Sequence, residues 1–277
     1  MWRFLFPLML ASATPAVAQD PHAAEACDIG KVLRLAYPGS HPPAKGSVQD
    51  ALHKGRTELP GGTEALPPGD PDDPAFVPFC RIWPSADALL VAVPMMREDT
   101  DAGHDGDLEI LVLDRAITQV RARIVLPGVM TDDAVALEDV RFDMAPYRLG
   151  PPSFGLRFHR VGSSRADPFE QTDLKLFTLS GGRLRLVLPG LLTLDTGGET
   201  DTVCAGRIDA TSVTIAPGAA AHHGLRDLML TIRRDHETDT GDSAQNCQEH
   251  TVSRTMRATL AFDGARYPVP KDLRPFY

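Results

Sequence analysis

Residues 107–126 have the sequence DLEILVLDRAITQVRARIVL, and this stretch decides the fold class. Its first seven residues are mostly aliphatic, its last eight alternate arginine with apolar residues, and a short connection separates the two runs. A period of two places successive side chains on opposite faces of a β-strand. Two such runs joined by a short connection predict an antiparallel hairpin with one solvated face.

The same pattern recurs from residue 76 onward. Runs rich in β-branched and aliphatic residues are separated at nearly every gap by Gly, Pro, Asp or Ser. The other predicted strands are 76–83, 87–95, 135–144, 154–161, 173–180, 182–188, 207–216, 225–234 and 251–262, with a weaker candidate at 266–270. Ten or more short strands separated by turns predict an all-β domain, an antiparallel meander that forms a β-sandwich or a barrel.

An internal repeat favours one alternative fold. The sequence DLEILVL at 107–113 parallels DLKLFTL at 173–179, and LPGVMT at 126–131 parallels LPGLLT at 188–193. Repeated hairpins are typical of propellers, so an atypical β-propeller-like repeat is the alternative. The spacing between the weaker copies is too irregular for equal blades, which leaves the sandwich or barrel as the main prediction.

The first residues have the features of a secretory signal. Residues 1–18 contain a basic start, a short apolar core and the small-x-small sequence Ala-Val-Ala at 16–18. These features predict a signal peptide that is cleaved after Ala18. The apolar core is too short to cross a bilayer, and no later stretch approaches 18 apolar residues. We therefore expect no transmembrane helix in the mature chain.

Three further segments follow the signal peptide. Residues 19–37 form an N-terminal segment, with a helix, or a helix followed by a strand, expected at 23–36. Residues 38–75 contain eight of the 24 prolines and little apolar surface. This composition predicts a flexible Pro/Gly-rich linker with a short helix at 47–54. The all-β domain then spans 76–277.

The charge balance excludes one class of partner. The chain has 28 Lys and Arg against 37 Asp and Glu, a net charge of −9. An acidic chain without a cluster of basic residues repels phosphate backbones, so we expect no nucleic-acid partner. The abundance of Ala, Arg, Gly, Pro and Asp indicates a GC-rich bacterial source.

The four cysteines predict two disulfides. Cys27, Cys80, Cys204 and Cys247 are an even number in a chain that is expected to be exported. Three connectivities are open, and we favour Cys27–Cys80 and Cys204–Cys247 because each joins neighbours in sequence. The second pair closes a loop of roughly 40 residues, which stabilises the fold by about 3–4 kcal/mol. The expected location is periplasmic or secreted.

Two Asp-Thr-Gly tripeptides raise the question of an aspartic protease. Such an enzyme needs two carboxylates that share one proton. Asp195 follows an apolar run, but Asp239 follows a wholly polar stretch and is only 44 residues further along the chain. We therefore predict a Gly-rich turn at the end of a strand 188–194, with Asp195 capping the amides of the turn.

The acidic stretch EDTDAGHDGDLE at 98–109 is the best metal candidate. Calcium prefers loops rich in carboxylate oxygens, and the candidate ligands are Asp99, Asp101, Asp105 and Asp107. The spacing does not match an EF-hand. The alternative is a solvated hairpin loop whose charges keep a sheet edge from pairing.

The polar sequence GSSRADP at 162–168 is a candidate anion site. Arg165 supplies a cation, and Ser163, Ser164 and backbone amides supply hydrogen-bond donors. The alternative is an Asx or Ser turn between two strands.

No catalytic constellation stands out in the sequence. It contains no Gly-x-Ser-x-Gly, no Ser-x-x-Lys and no phosphate-binding loop. The prediction is an exported bacterial protein, a non-catalytic periplasmic or secreted β-domain that binds a macromolecular or envelope partner and needs no cofactor. The alternative is a secreted hydrolase with an acidic, calcium-dependent site at Asp105, Asp107 or Asp195.

Overall fold

The computed structural model describes residues 27–40, 57–59, 61–66, 74–100, 103–241 and 243–276, with only the backbone of 98–100 and 244. The strands are β1 (Thr57–Leu59), β2 (Thr63–Ala65), β3 (Phe79–Trp83), β4 (Ala88–Thr100), β5 (Gly103–Leu113), β6 (Val120–Leu126), β7 (Val135–Asp143), β8 (Ser153–Gly162), β9 (Phe169–Ser180), β10 (Arg183–Thr200), β11 (Gly206–His222), β12 (Leu225–Thr240) and β13 (Gln248–Leu260); helix α1 spans Ile29–Ala36. The predicted signal peptide at 1–18 and the predicted helix at 47–54 lie outside the described residues.

The strands form two antiparallel sheets. The first sheet has six strands in the order β1-β2-β4-β5-β6, with β3 paired to β4. The second has seven strands in simple meander order from β7 to β13. Neither sheet closes on itself within the described part of the chain. The all-β prediction is confirmed as a sandwich rather than a barrel or a propeller.

The main core lies between the two sheets. Apolar side chains that alternate along β4, β5 and β6 face those of β7, β8 and β9, as the period of two requires. Phe154 lies at the centre of this core, with its ring 5.0 Å from that of Trp83 and 5.0 Å from that of Phe177. All three side chains are fully buried.

A second core covers the half of the large sheet that extends beyond the small one. Leucines of β9, β10 and β12 pack there against a C-terminal segment that comprises residues 261–276. Tyr267, Val269 and Leu273 of that segment are buried. The weaker strand candidate at 266–270 is therefore wrong, because this stretch packs on the face of the sheet without joining its ladder.

The outer face of the small sheet is covered by helix α1. Asp28 caps the helix by accepting a hydrogen bond of 2.8 Å from the backbone N–H of Lys31. The apolar residues of α1 are buried against β3, β4 and β5. The described part of the expected helix at 23–36 thus begins at Ile29, immediately after its cap.

Part of the predicted linker belongs to this folded layer. Strands β1 and β2 pair with each other, and Glu64 of β2 pairs with Met96 of β4. Leu59, Ala65 and Leu66 are buried. The hairpin is structured because these few apolar residues pack against the small sheet. The Pro/Gly-rich composition of the linker did not indicate this contact.

Both disulfides join the predicted partners. Cys27 is bonded to Cys80 and Cys204 to Cys247, so the favoured pairing is confirmed. The first bond fixes the start of α1 to β3, and the second joins the β10–β11 connection to the residue that precedes β13. Two disulfides fit an oxidising compartment.

The Asp-Thr-Gly tripeptide at 195–197 is not a turn, contrary to the prediction. Strand β10 continues to Thr200, and Asp195 pairs with Gln171 of β9 and Thr211 of β11. Pairing on both sides keeps the chain extended. Asp239 lies two strands away and pairs with Gly206. The register separates the two carboxylates by about 19 Å, too far to share a proton.

Close contact between β10 and β11 explains why a second glycine, Gly198, follows the tripeptide. A Cβ on Gly198 would lie 2.1 Å from the carbonyl oxygen of Arg207 on β11. A Cβ on the neighbouring Gly197 would meet nothing nearer than 3.8 Å. Gly198 is therefore required for the close approach of β10 and β11.

We expect Gly198→Ala to lower the free energy of unfolding by about 1–3 kcal/mol, the usual cost of forcing atoms into a tightly packed region. Gly197→Ala is the matched control and should have a much smaller effect. Urea unfolding of both variants checks this difference. Equal midpoints for the two variants would contradict the expected steric conflict.

Candidate functional site: the Lys175 pocket

Three charged side chains are buried within the large sheet. Asp173 and Lys175 alternate along β9, and Arg160 lies on the neighbouring β8. Their exposed fractions are 1%, 7% and 4%. Lys175 Nζ donates to Asp173 Oδ2 at 2.9 Å, and Arg160 Nη1 donates to Asp173 Oδ1 at 3.3 Å. One buried carboxylate therefore serves two buried cations.

Neutral groups also contact the two cations. Lys175 Nζ also donates to the carbonyl oxygen of Pro189 at 3.0 Å, and Arg160 Nη2 donates to that of Val129 at 3.1 Å. The ring of Phe158 lies 5.0 Å from Lys175 Nζ and 5.6 Å from the guanidinium carbon of Arg160. These dipoles and the π-face lower the cost of burying the two positive charges.

Lys175 lies in the wall of an open pocket with a volume of about 310 Å³. Lys175, Pro189 and Gly190 form one side, and residues 263–275 of the C-terminal segment form the other. A Cβ on Gly190 would lie 2.9 Å from Pro275 and 3.4 Å from Lys175 Nζ. Glycine at this position therefore leaves room for both the C-terminal segment and the ammonium group of Lys175.

Two further cations lie at the mouth of this pocket. Arg266 and Arg274 both line it, and both are exposed. The Nε of Arg274 donates to the carbonyl oxygen of Val269 at 2.9 Å, which fixes the base of the guanidinium group. The remaining donors of Arg274 form a fork that suits a carboxylate or a phosphate.

One carboxylate and one phenol also line the pocket. Backbone N–H groups of Arg266 and Ala265 hold the pKa of Asp263 below its usual range, so this side chain stays ionised. Burial and the charge of Asp227 raise the pKa of Tyr267, and its hydroxyl donates to the carbonyl oxygen of Arg226. Tyr267 is thus a neutral structural group.

The charged side chains that line the pocket are mainly cationic. The described lining residues supply three cationic side chains and one carboxylate, and they include no Ser, Thr, Cys or His. Together with Asp173 and Arg160 behind Lys175, the site has a net positive charge. A small anionic group is the ligand that this arrangement accommodates.

The internal repeat contains a signal that points to this site. Lys175 occupies the position of Glu109 in the first copy, since DLKLFTL aligns with DLEILVL. Glu109 is also buried, and it accepts a hydrogen bond of 2.6 Å from Tyr37 and lies 3.1 Å from Arg123. A charge inside an apolar strand was thus visible in both copies, but nothing in the sequence indicated which one faces a pocket.

The candidate calcium ligands have other partners in the described structure. Arg97 binds both Asp105, at 2.9 Å, and Asp107, at 2.8 Å. The hydrogen bond from Arg97 lowers the pKa of Asp105. Asp101 and the side chain of Asp99 lie outside the described residues. Among the side chains that are described, no group of three or more His, Cys, Asp or Glu is arranged to hold a metal.

The acidic stretch 98–109 was alternatively predicted to be a solvated hairpin loop, but most of it forms strands. Strand β4 runs to Thr100 and β5 begins at Gly103, so most of 98–109 forms the end of a long hairpin. Asp107 accepts a hydrogen bond of 2.8 Å from the backbone N–H of Gly128 and so closes the turn after β6. The charges are tolerated in strands because Arg97 lies between two of them.

The residues of the predicted anion site at 162–168 are only partly brought together. Ser163 and Ser164 line an open pocket with Asp167 and Phe276, but Arg165 is not among the described residues that line it. Ser164 Oγ accepts a hydrogen bond from the backbone N–H of Asp167, as in the turn that was the alternative. The carboxylate of Asp167 disfavours an anion there.

The chain was compared with family models, with curated proteins and with solved structures. None of the three comparisons gave a match. No helix among the described residues is long and apolar enough to span a bilayer. The function is therefore argued from the geometry of the pocket.

Proposed function

We propose that this chain is an exported, non-catalytic β-domain, periplasmic or secreted, that binds an anionic group of a macromolecular or envelope partner in the Lys175 pocket. The observation that carries the proposal is the convergence of three cations on one open pocket: Lys175, bound to Asp173, lies in one wall, and Arg266 and Arg274 lie in the other. A bound anion would receive hydrogen bonds from these groups.

The donor geometry supports an anion as the ligand. An ammonium group has three donors, and Lys175 uses two of them for Asp173 and Pro189. Arg274 and Arg266 approach from the opposite wall. A carboxylate or phosphate between these groups would receive charge-assisted hydrogen bonds, which are about twice as strong as neutral ones.

The hydrolase alternative has less support. Its acidic residues Asp105 and Asp107 bind Arg97, and Asp195 accepts a hydrogen bond of 3.1 Å from Gln171. Each carboxylate thus has a structural partner, and the calcium-dependent hydrolase stays a hypothesis without a specific observation in its favour.

The binding proposal predicts that inorganic phosphate or acetate binds the folded protein and raises its melting temperature. Arg274→Gln should weaken the affinity at least about tenfold, because a hydrogen bond to a charged group contributes about 1.5–3 kcal/mol. Arg115→Gln, at an exposed site on the small sheet, is the matched control and should bind as the wild type does. Isothermal titration calorimetry measures all three proteins.

A second variant separates binding from folding. Lys175→Met keeps the length of the side chain and leaves Arg160 paired with Asp173, so we expect a folded protein that no longer binds the anion. Failure of the wild type to bind either anion, or equal affinity of the Arg274→Gln and control proteins, would refute this use of the pocket.

A further inference from the structure

The last strand of the large sheet has a free edge. All 13 residues of β13 pair with β12 without a register shift, and no described residue pairs with the other side of β13. Residues 248–255 are exposed on both faces as well as along this edge. A long, regular row of backbone donors and acceptors is thus open to another strand.

The other sheet edges are interrupted or short. The ladder between β7 and β8 contains a register shift between Leu137 and Asp139, and β6 has only seven residues with a shift at Leu113 of its neighbour. Bulges and short strands prevent unwanted pairing of an edge. Strand β13, with the sequence QEHTVSRTMRATL, has no bulge, no proline and no lysine.

The side chains of β13 complement a second, antiparallel copy of the same strand. Glu249, Thr251, Ser253, Thr255 and Arg257 alternate along the strand and share one face. A two-fold axis through Ser253 places Glu249 opposite Arg257 and Thr251 opposite Thr255. Opposite charges and Thr–Thr pairs are favourable cross-strand neighbours.

The opposite face fits the same register. It places Val252, which is 55% exposed, opposite Arg254 of the second copy. The aliphatic part of an arginine covers apolar surface while its charge stays in water. His250 is placed opposite Met256, whose side chain is partly buried. This register therefore leaves no like charges directly opposite each other.

The charges of β13 are not compensated within the described chain. Glu249 pairs directly with Asp239 of β12, and Arg257 pairs with Thr231. Burial and then the charges of Glu249 and Asp239 raise the pKa of Glu237, which reflects an acidic cluster without a cation. Arg257 forms no ion pair with any described residue. The second copy would bring its Arg257 beside Glu249, where a cation is needed.

We propose that a second copy of this chain pairs with β13 in antiparallel register centred on Ser253, so that the two large sheets join into one continuous sheet. The proposal is independent of the Lys175 pocket, which lies on other strands. The occupant is the same chain because the sequence of the edge is self-complementary in charge and in side-chain type.

Sedimentation equilibrium of the mature full chain tests the proposal through a charge swap. The wild type should dimerise, and Arg257→Glu should weaken dimerisation at least about tenfold, because it places two carboxylates opposite each other at both ends of the interface. The double variant Glu249→Arg/Arg257→Glu should restore the dimer. Arg183→Glu, at the exposed start of β10, is the control and should not change the association.

Cysteine crosslinking tests the register. Ser253→Cys places two thiols on the axis, within reach of a disulfide. Thr251→Cys, on the same exposed face, places them about 13 Å apart and should not crosslink. A wild type that is monomeric at all concentrations, a dimer that survives Arg257→Glu, or equal crosslinking of the two cysteine variants would overturn the proposal.

Discussion

Replacing Asp173 with alanine should lower the free energy of unfolding by about 3–5 kcal/mol, the cost of removing one partner from a buried ion pair. Asp173 is the one carboxylate that contacts both Arg160 and Lys175, and all three side chains are buried. Its loss removes the carboxylate that Arg160 and Lys175 share inside the sheet. The variant should unfold at a much lower urea concentration.

A surface pair provides the control for this experiment. Asp139 is bound to Arg141 on β7, and both side chains are more than one third exposed. Asp139→Ala should cost less than about 1 kcal/mol, because solvent screens exposed ion pairs. Similar urea midpoints for the two alanine variants would contradict the interpretation of Asp173 as the centre of a buried cluster.

Replacing Phe154 with alanine should lower the free energy of unfolding by about 3–5 kcal/mol as well, through a different mechanism. The Phe154 ring contacts the rings of Trp83, Phe142 and Phe177 and is fully buried between the two sheets. Its removal exchanges apolar contacts for a cavity that three aromatic neighbours and two rigid sheets cannot close.

Phe276 is the matched control, since its side chain is 80% exposed. Phe276→Ala should change the stability by no more than about 0.5 kcal/mol. Differential scanning calorimetry of both variants compares the melting temperatures directly. A small loss for Phe154→Ala would show that the two sheets can move together to fill the space.

Periodicity in the sequence predicted most of the strands and the fold class. The alternation in QVRARIVL and GRLRLVL sets the inward and outward faces, and the structure forms β6 and the start of β10 there. The strands and the fold class depend on local side-chain patterns, which are visible without knowledge of long-range contacts. The disulfide pairing was favoured on sequence order alone, with three connectivities open.

Features that depend on long-range pairing were not predictable in the same way. The sequence LPG occurs after β6 and inside β10, but it ends the strand only in the first case. In the first copy Gly128 adopts a φ of 66°, whereas Gly190 remains in the strand and contacts Pro275. The difference arises because the ladder between β9 and β10 resumes after Gly190 across a register shift, whereas the ladder between β5 and β6 ends at Leu126. The tripeptide does not encode this pairing.

The Lys175 pocket was missed for a similar reason. Its two walls come from residues 175–190 and 263–275, which are far apart in the sequence. Arg266 and Arg274 lie in a segment whose period-two pattern is weak, and they line the pocket only because Tyr267, Val269 and Leu273 hold the C-terminal segment on the sheet.

The position of Lys175 between the two cores has a thermodynamic consequence. Its ammonium group contacts Phe158 of the core between the sheets, and its pocket is also lined by Tyr267 and Val269 of the second core. A ligand that contacts both walls of the pocket binds only when both cores are folded. Its binding free energy therefore stabilises the two cores together. Occupancy would thus strengthen the coupling between two cores that already share β9 and β10.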